Sequence, residues 1–216
     1  MWHSERHEQL WQVVAAQMPQ DDIAHDAEHV ARVYRWCLRL AEEGGADPEL
    51  VGAAGLVHDL VDIPKDHPDR PLGGERSAEA AADLLPGMGY QRTEVEAIVE
   101  AVRTCSWSRG LTPSAAEGRV LQDADRLDAI GVIGLARCFA TGQRMCARTR
   151  AGAFYDPADP DATARELDDR HYSLDHVATK MRKLPAAMHT ATARAEAALR
   201  MQALEAAVAA LRREIG

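Results

Sequence analysis

Apolar residues recur every three to four positions along almost the whole chain, and Gly or Pro interrupts that rhythm at intervals. A chain patterned this way buries its apolar stripes by packing helices side by side. Residues 4–18 carry Leu10, Val13, Val14 and Met18 at helical spacing, and residues 26–43 carry Val30, Val33, Tyr34, Cys37, Leu38 and Ala41. Gly44-Gly45 ends the second segment, and Asp47-Pro48 opens a third that runs to about Leu60. Residues 63–74, rich in Pro, Gly and charge, read as a loop. Ser77 or a nearby residue is expected to cap a helix to Leu85, before the break at Pro86-Gly87-Met88-Gly89. Thr93 opens a further helix, and one continuous helix is expected over about 124–146. After a second loop at 147–162, residues 163–183 read as helical, Pro185 interrupts, and a last helix covers about 189–214. No segment has a convincing strand pattern, so the expected fold class is all-α, a compact multi-helix bundle.

Composition narrows the reading further. Aromatic residues are 5% of the 216 residues while apolar residues are 46%, so the core is built mainly from Ala, Leu, Val and Ile. The net charge of −9 and pI near 5.5 argue against general nucleic-acid binding, which needs a basic surface. They leave room for a small anionic substrate, because a metal and a few cations can reverse the field inside a cleft. The four cysteines include no CxxC pair and read as reduced residues of a cytoplasmic protein. No apolar run approaches the 18 or so residues that a membrane span needs, and no signal-peptide pattern opens the chain.

The chemistry-bearing residues come in a fixed order. His25-Asp26-Ala27-Glu28-His29 precedes a helical stripe. His58-Asp59 ends the apolar run Leu50–Val57, and Gln122-Asp123-Ala124-Asp125-Arg126-Leu127-Asp128 follows downstream. Two imidazoles and two carboxylates suit one divalent ion, among Mn²⁺, Mg²⁺, Ni²⁺, Co²⁺, Fe²⁺ and Zn²⁺. An ion held this way can activate water for attack on phosphorus. Either Asp123 or Asp125 can supply the last carboxylate, and Asp123 can equally be a helix cap. Asp125 is expected at the beginning of its helix.

Three phrases carry a family resemblance: His25-Asp26-x-x-His29-x-x-Arg32-Val33, His58-Asp59-x-x-Asp62-x-Pro64-Lys65, and Gln122 through Gly131 followed by Ile133-Gly134. With Tyr155-Asp156-Pro157 and Asp175-His176-x-x-x-Lys180, they make the chain similar to the HD-domain superfamily of metal-dependent phosphohydrolases, in particular its small stand-alone bacterial members. The resemblance implies a single HD domain over 1–216, with a core at about 20–146 and a helical extension at about 147–216. It implies His29, His58, Asp59 and Asp125 as metal ligands. Asp62 becomes a candidate for orienting the attacking water, and Lys65 and Arg126 for stabilising developing charge. His25, Lys65, Arg70 and Lys180 become candidates for substrate binding. Arg126 can instead pair with Asp123 or Asp128, and Asp175 and His176 can line the cleft or pack beneath it.

One departure stands out. Many relatives carry His in a phrase like His-Ser-Phe-Ser, and here the stretch reads Cys105-Ser106-Trp107-Ser108. The missing His points to a mononuclear site and away from cyclic-nucleotide phosphodiesterases and di-iron oxygenases. The expectation is a phosphohydrolase acting on a nucleotide, as monomer or homodimer, with a regulatory metal- or nucleotide-binding module as the alternative.

Overall fold

A computed structural model describes residues 2–64 and 67–216, so Lys65 lies outside the described residues. Among them, nine α-helices run in the order α1 (Glu5–Gln17), α2 (Ala27–Gly44), α3 (Pro48–Val57), α4 (Gly73–Leu84), α5 (Arg92–Cys105), α6 (Ala116–Asp128), α7 (Gly131–Thr149), α8 (Asp175–Thr179) and α9 (Ala191–Ile215). The only β pairing among these residues is an isolated bridge between Ala153 and Tyr172. The all-α expectation therefore holds.

The centre of the bundle is α3, in which every residue from Val51 to Val57 is buried. A helix that is apolar all round belongs in the interior, and α3 packs against α1, α2, α5 and α6. Asp47 caps its start by accepting from the Glu49 amide, with Pro48 in the first turn. Gly55 lets α2 come close: a Cβ there would meet Cys37 Sγ at 3.0 Å and Tyr34 Cα at 3.2 Å. This close approach sets the end of α3 beside the first turn of α2. Truncating a fully buried core residue such as Leu56 to Ala costs about 2–5 kcal/mol in cores of this kind.

Three sequence expectations need correction. The segment 124–146 is not one helix. It divides between α6 and α7 at Ala129-Ile130, where Gly131 takes φ +78°. Asp125 accordingly sits in the last turns of α6 rather than at a helix start. Ser77 is not a cap: α4 already begins at Gly73, and Ser77 Oγ accepts from the Val61 amide at 3.1 Å. Residues 163–183 are mostly irregular, with only α8 and a 3-10 turn at Met181–Ala187. Local side chains there capture the backbone. Asp159 accepts from the Thr163 and Ala164 amides, Asp168 from Arg170 and His171, and Asp175 from Asp168. Such bonds compete directly with helix formation.

Candidate metal centre

Asp26 caps α2 by accepting from the His29 amide at 2.9 Å, so His29 projects from the helix's first turn. Its Nδ1 donates to Asp128 Oδ2 at 2.7 Å. Asp128 also accepts from Arg32 Nε at 2.6 Å and from Arg137 Nη1 at 2.9 Å, which holds this carboxylate far below its usual range against the cost of burial. With Nδ1 as donor, the neutral His29 ring presents a lone pair at Nε2. His58 ends α3, and its Nδ1 donates to Gly55 O at 2.9 Å, so its Nε2 also carries a lone pair.

The two Nε2 atoms face each other at 3.3 Å. Asp59 Oδ2 lies 3.4 Å from His29 Nε2 and 3.6 Å from His58 Nε2. Asp125 Oδ1 lies 3.8 Å and 4.0 Å from the same atoms. His29, His58 and Asp125 each offer a ligand atom within 4.8 Å of the others. Four acceptors thus converge, an arrangement that calls for a cation between them. Ligands about 2.0–2.2 Å from one ion lie roughly 3–4 Å apart, which is the spacing found here. The electrostatics agree. Burial and Arg137 press the His29 pKa down, yet Asp128 and Asp59 outweigh them and raise it. Burial works against ionisation of Asp59 and Asp125, and the two imidazoles still hold both below the usual carboxylate range. The residues fit a divalent metal.

Asp123 has a different task. It accepts from the backbone of His189 and Thr190 and from Thr190 Oγ1, all within 2.9 Å, and so anchors the start of α9. Its carboxylate is fully buried in that role, and Asp125, not Asp123, joins the imidazoles.

A cavity of about 320 Å³ opens onto His58, Asp59 and Asp125. His25, Arg70 and Lys180 line it, as the sequence suggested. His25 precedes the cap of α2 rather than sharing its helix, and its Nδ1 donates to Asp22 Oδ2 at 2.8 Å. Arg70 donates to Ile63 O, and burial lowers the Lys180 pKa while Asp125 partly restores it. His176 also lines the wall, bonded through Nδ1 to Asp169, whereas Asp175 turns inward to Arg165.

Two expected catalytic residues fall elsewhere. Arg126 is buried outside the cavity lining. It donates to Ala187 O at 2.6 Å and lies over the Trp107 ring, not beside Asp123 or Asp128. Asp62 is bound to Arg144 Nη1 at 2.6 Å and is absent from the cavity lining. Arg144 also binds Asp22, closing a second cluster with His25. Cys105 does line the cavity, with its thiol pushed well up by burial. Arg137 escaped the sequence reading. It braces Asp128 and donates to Ala24 O at 2.6 Å, and nothing in the apolar stripe of α7 singled it out.

Known proteins share this fold. The HD domain family matches residues 26–130, a span holding all four converging side chains. YpgQ of Bacillus subtilis (strain 168) is 30% identical over 191 residues, covering 87% of this chain and 82% of that protein. A crystal structure of YpgQ in complex with ADP superposes with a TM-score of 0.72, at 27% identity over 97% of each chain. A Lactobacillus plantarum structure gives 0.75, at 28% identity over 99% of this chain and 98% of that one. An HD-superfamily hydrolase from Bacillus thuringiensis gives 0.70, at 27% identity over 97% and 96%.

Proposed function

The chain belongs to the HD-domain superfamily, and from that premise we propose that it is a metal-dependent phosphohydrolase that cleaves a phosphoester or phosphoanhydride of a nucleotide. The observation that carries this reading is the convergence of two lone-pair-bearing imidazoles and two carboxylates at the edge of a cation-lined cavity. His29, His58, Asp59 and Asp125 would hold one divalent ion. When bound, such an ion lowers the pKa of a water ligand and polarises a phosphoryl oxygen.

The chain's own residues supply the rest. Asp128 fixes the tautomer and plane of His29, and the Gly55 carbonyl does the same for His58. Lys180 and Arg70 present positive charge to the cavity, where phosphate oxygens would be neutralised. His25, whose Nδ1 donates to Asp22, lines the same cavity and as an imidazolium would donate to a phosphate oxygen through Nε2. Asp62, held by Arg144, steadies the segment after Asp59 rather than exchanging protons with water. Arg126 is a positioning residue beneath Trp107. The ADP complex of the relative YpgQ supports a nucleotide as substrate class, and the cavity volume lies at the small-ligand end of the usual range. The packing of α9 on α2, α6 and α7 supports one folding unit across the chain.

A screen of nucleoside mono-, di- and triphosphates with Mn²⁺, Mg²⁺, Co²⁺ and Ni²⁺ tests the reading. Turnover should require metal, and His58→Ala and Asp59→Ala should lose bound metal and turnover together. A variant that keeps full turnover would contradict the ligand set. Nucleotide and metal binding without any turnover would replace hydrolysis with a regulatory binding role.

A further inference from the structure

The wall opposite the cation-bearing segment holds a residue that phosphate chemistry does not need. Trp107 lines the cavity, and it is the one Trp, Tyr or Phe to do so among the described residues. Its indole is fixed from behind: the Arg126 guanidinium lies 5.2 Å from the ring centroid and is itself tied to Ala187 O and close to His189 Nε2. Arg126 is buried, so this pairing is internal and the remainder of the ring is left to the cavity wall. Val102, Cys105, Ser106 and Ser108 line the cavity with it. Gly73 and Gly74 line the same cavity at the start of α4, and a Cβ on Gly74 would come 3.6 Å from Ser106 Cβ. A Cβ on Gly73 would meet only Arg70 Nη1, at 3.9 Å. Trp107 is thus the one flat side-chain ring of Trp, Tyr or Phe among the described residues of a cavity that Arg70, Arg137, Arg170 and Lys180 also line.

We propose that Trp107 is the platform on which the nucleobase of the substrate stacks. This rests on the nucleotide reading above and adds the residue that reads the base. A platform pinned before binding loses little freedom on binding, and base–aromatic stacking is tolerant of base identity because every base has a π face. The site is therefore selective for aromatic nucleotides over simple phosphates and indifferent between purines of similar size.

The test compares ADP with inorganic pyrophosphate, its base-free counterpart, each with Mg²⁺, by calorimetry on the full chain. Trp107→Ala should weaken ADP roughly 5- to 100-fold and leave pyrophosphate within about twofold. Trp107→Phe should keep most of the ADP affinity. The other three tryptophans sit elsewhere, Trp2 and Trp11 against one another and Trp36 between Arg39 and Arg200. Quenching of indole emission by ADP should therefore vanish in Trp107→Phe while binding persists. That readout stands even where Trp107→Ala fails to fold. Equal losses for both ligands, or ADP binding that leaves the emission unchanged, would overturn the platform and leave the hydrolase reading intact. An unaltered protein that binds pyrophosphate but no nucleotide would instead sink the nucleotide reading itself.

Discussion

Two clusters of His and Asp lie side by side at the start of α2, and they are built from the same residue types. One joins His29, His58 and Asp125; the other joins Asp22, His25 and Asp62. In each, ligand atoms lie within 4.8 Å of one another. They differ in where the nearest arginine stands. Arg144 reaches into the second cluster and bridges Asp22 to Asp62, so its cation is already present and covalently part of the chain. In the first, Arg32 and Arg137 are bound to Asp128 behind His29, and among the described residues no Arg or Lys forms an ion pair with Asp59 or Asp125. Residue type and proximity make both clusters attractive to a cation. The position of one guanidinium decides which becomes an internal ion pair and which remains open to a metal.

The largest effect is expected at the barrier between metal and arginine. Asp128→Asn should lower metal affinity about 10- to 100-fold, because the carboxylate that orients His29 is lost. It should also cost about 3–5 kcal/mol, since Arg32 and Arg137 then face a buried neutral amide. Metal titration and denaturant unfolding measure the two effects, and unchanged metal affinity would break the comparison. Arg144→Met should convert the second cluster into the first kind, so that a weak second Mn²⁺ per chain appears in calorimetry. A stoichiometry that stays at one would mean that geometry, not the arginine, separates the clusters.

The smallest effect concerns the simplest pairing, Asp169 with His176. The hydrogen bond from His176, helped by Thr179, holds Asp169 down to about 2, against desolvation. Because the folded pKa is depressed, the stabilisation is complete above the unfolded value near 4 and is lost as pH falls through 2. The carboxylate is partly exposed, so solvent screening limits the effect to about 1 kcal/mol. Asp169→Asn should be less stable than the parent by that amount at neutral pH, with the gap closing in unfolding curves between pH 4 and 2. A gap independent of pH would assign the loss to packing.

Much of this was legible in the sequence where one residue does one local job. Asp47-Pro48 opens α3 as the sequence predicts, with Asp47 as its cap. The apolar run Leu50–Val57 announced a buried helix ending in His58-Asp59. Long-range assignments were less legible. Asp62 and Arg126 carry the right charges for catalysis, but their partners, Arg144 and Ala187 O, are 82 and 61 residues away. The bend at Gly131 was invisible because apolar periodicity continues through it. Residues 163–183 misled for a physical reason, since the carboxylates of Asp159, Asp168 and Asp175 satisfy backbone amides that a helix would have used.

The Asp123 latch ties assembly of the pocket to the order of synthesis. Asp125 is two residues from a carboxylate whose three hydrogen-bond donors all belong to residues 189–190. On the ribosome, α6 is finished more than sixty residues before those partners emerge. Until then Asp123 lacks those donors, while Asp128 on the same helix already has His29 and Arg32 within the emerged chain. The docking of the last helix is thus what completes the hydrogen bonding of a buried carboxylate two residues from Asp125.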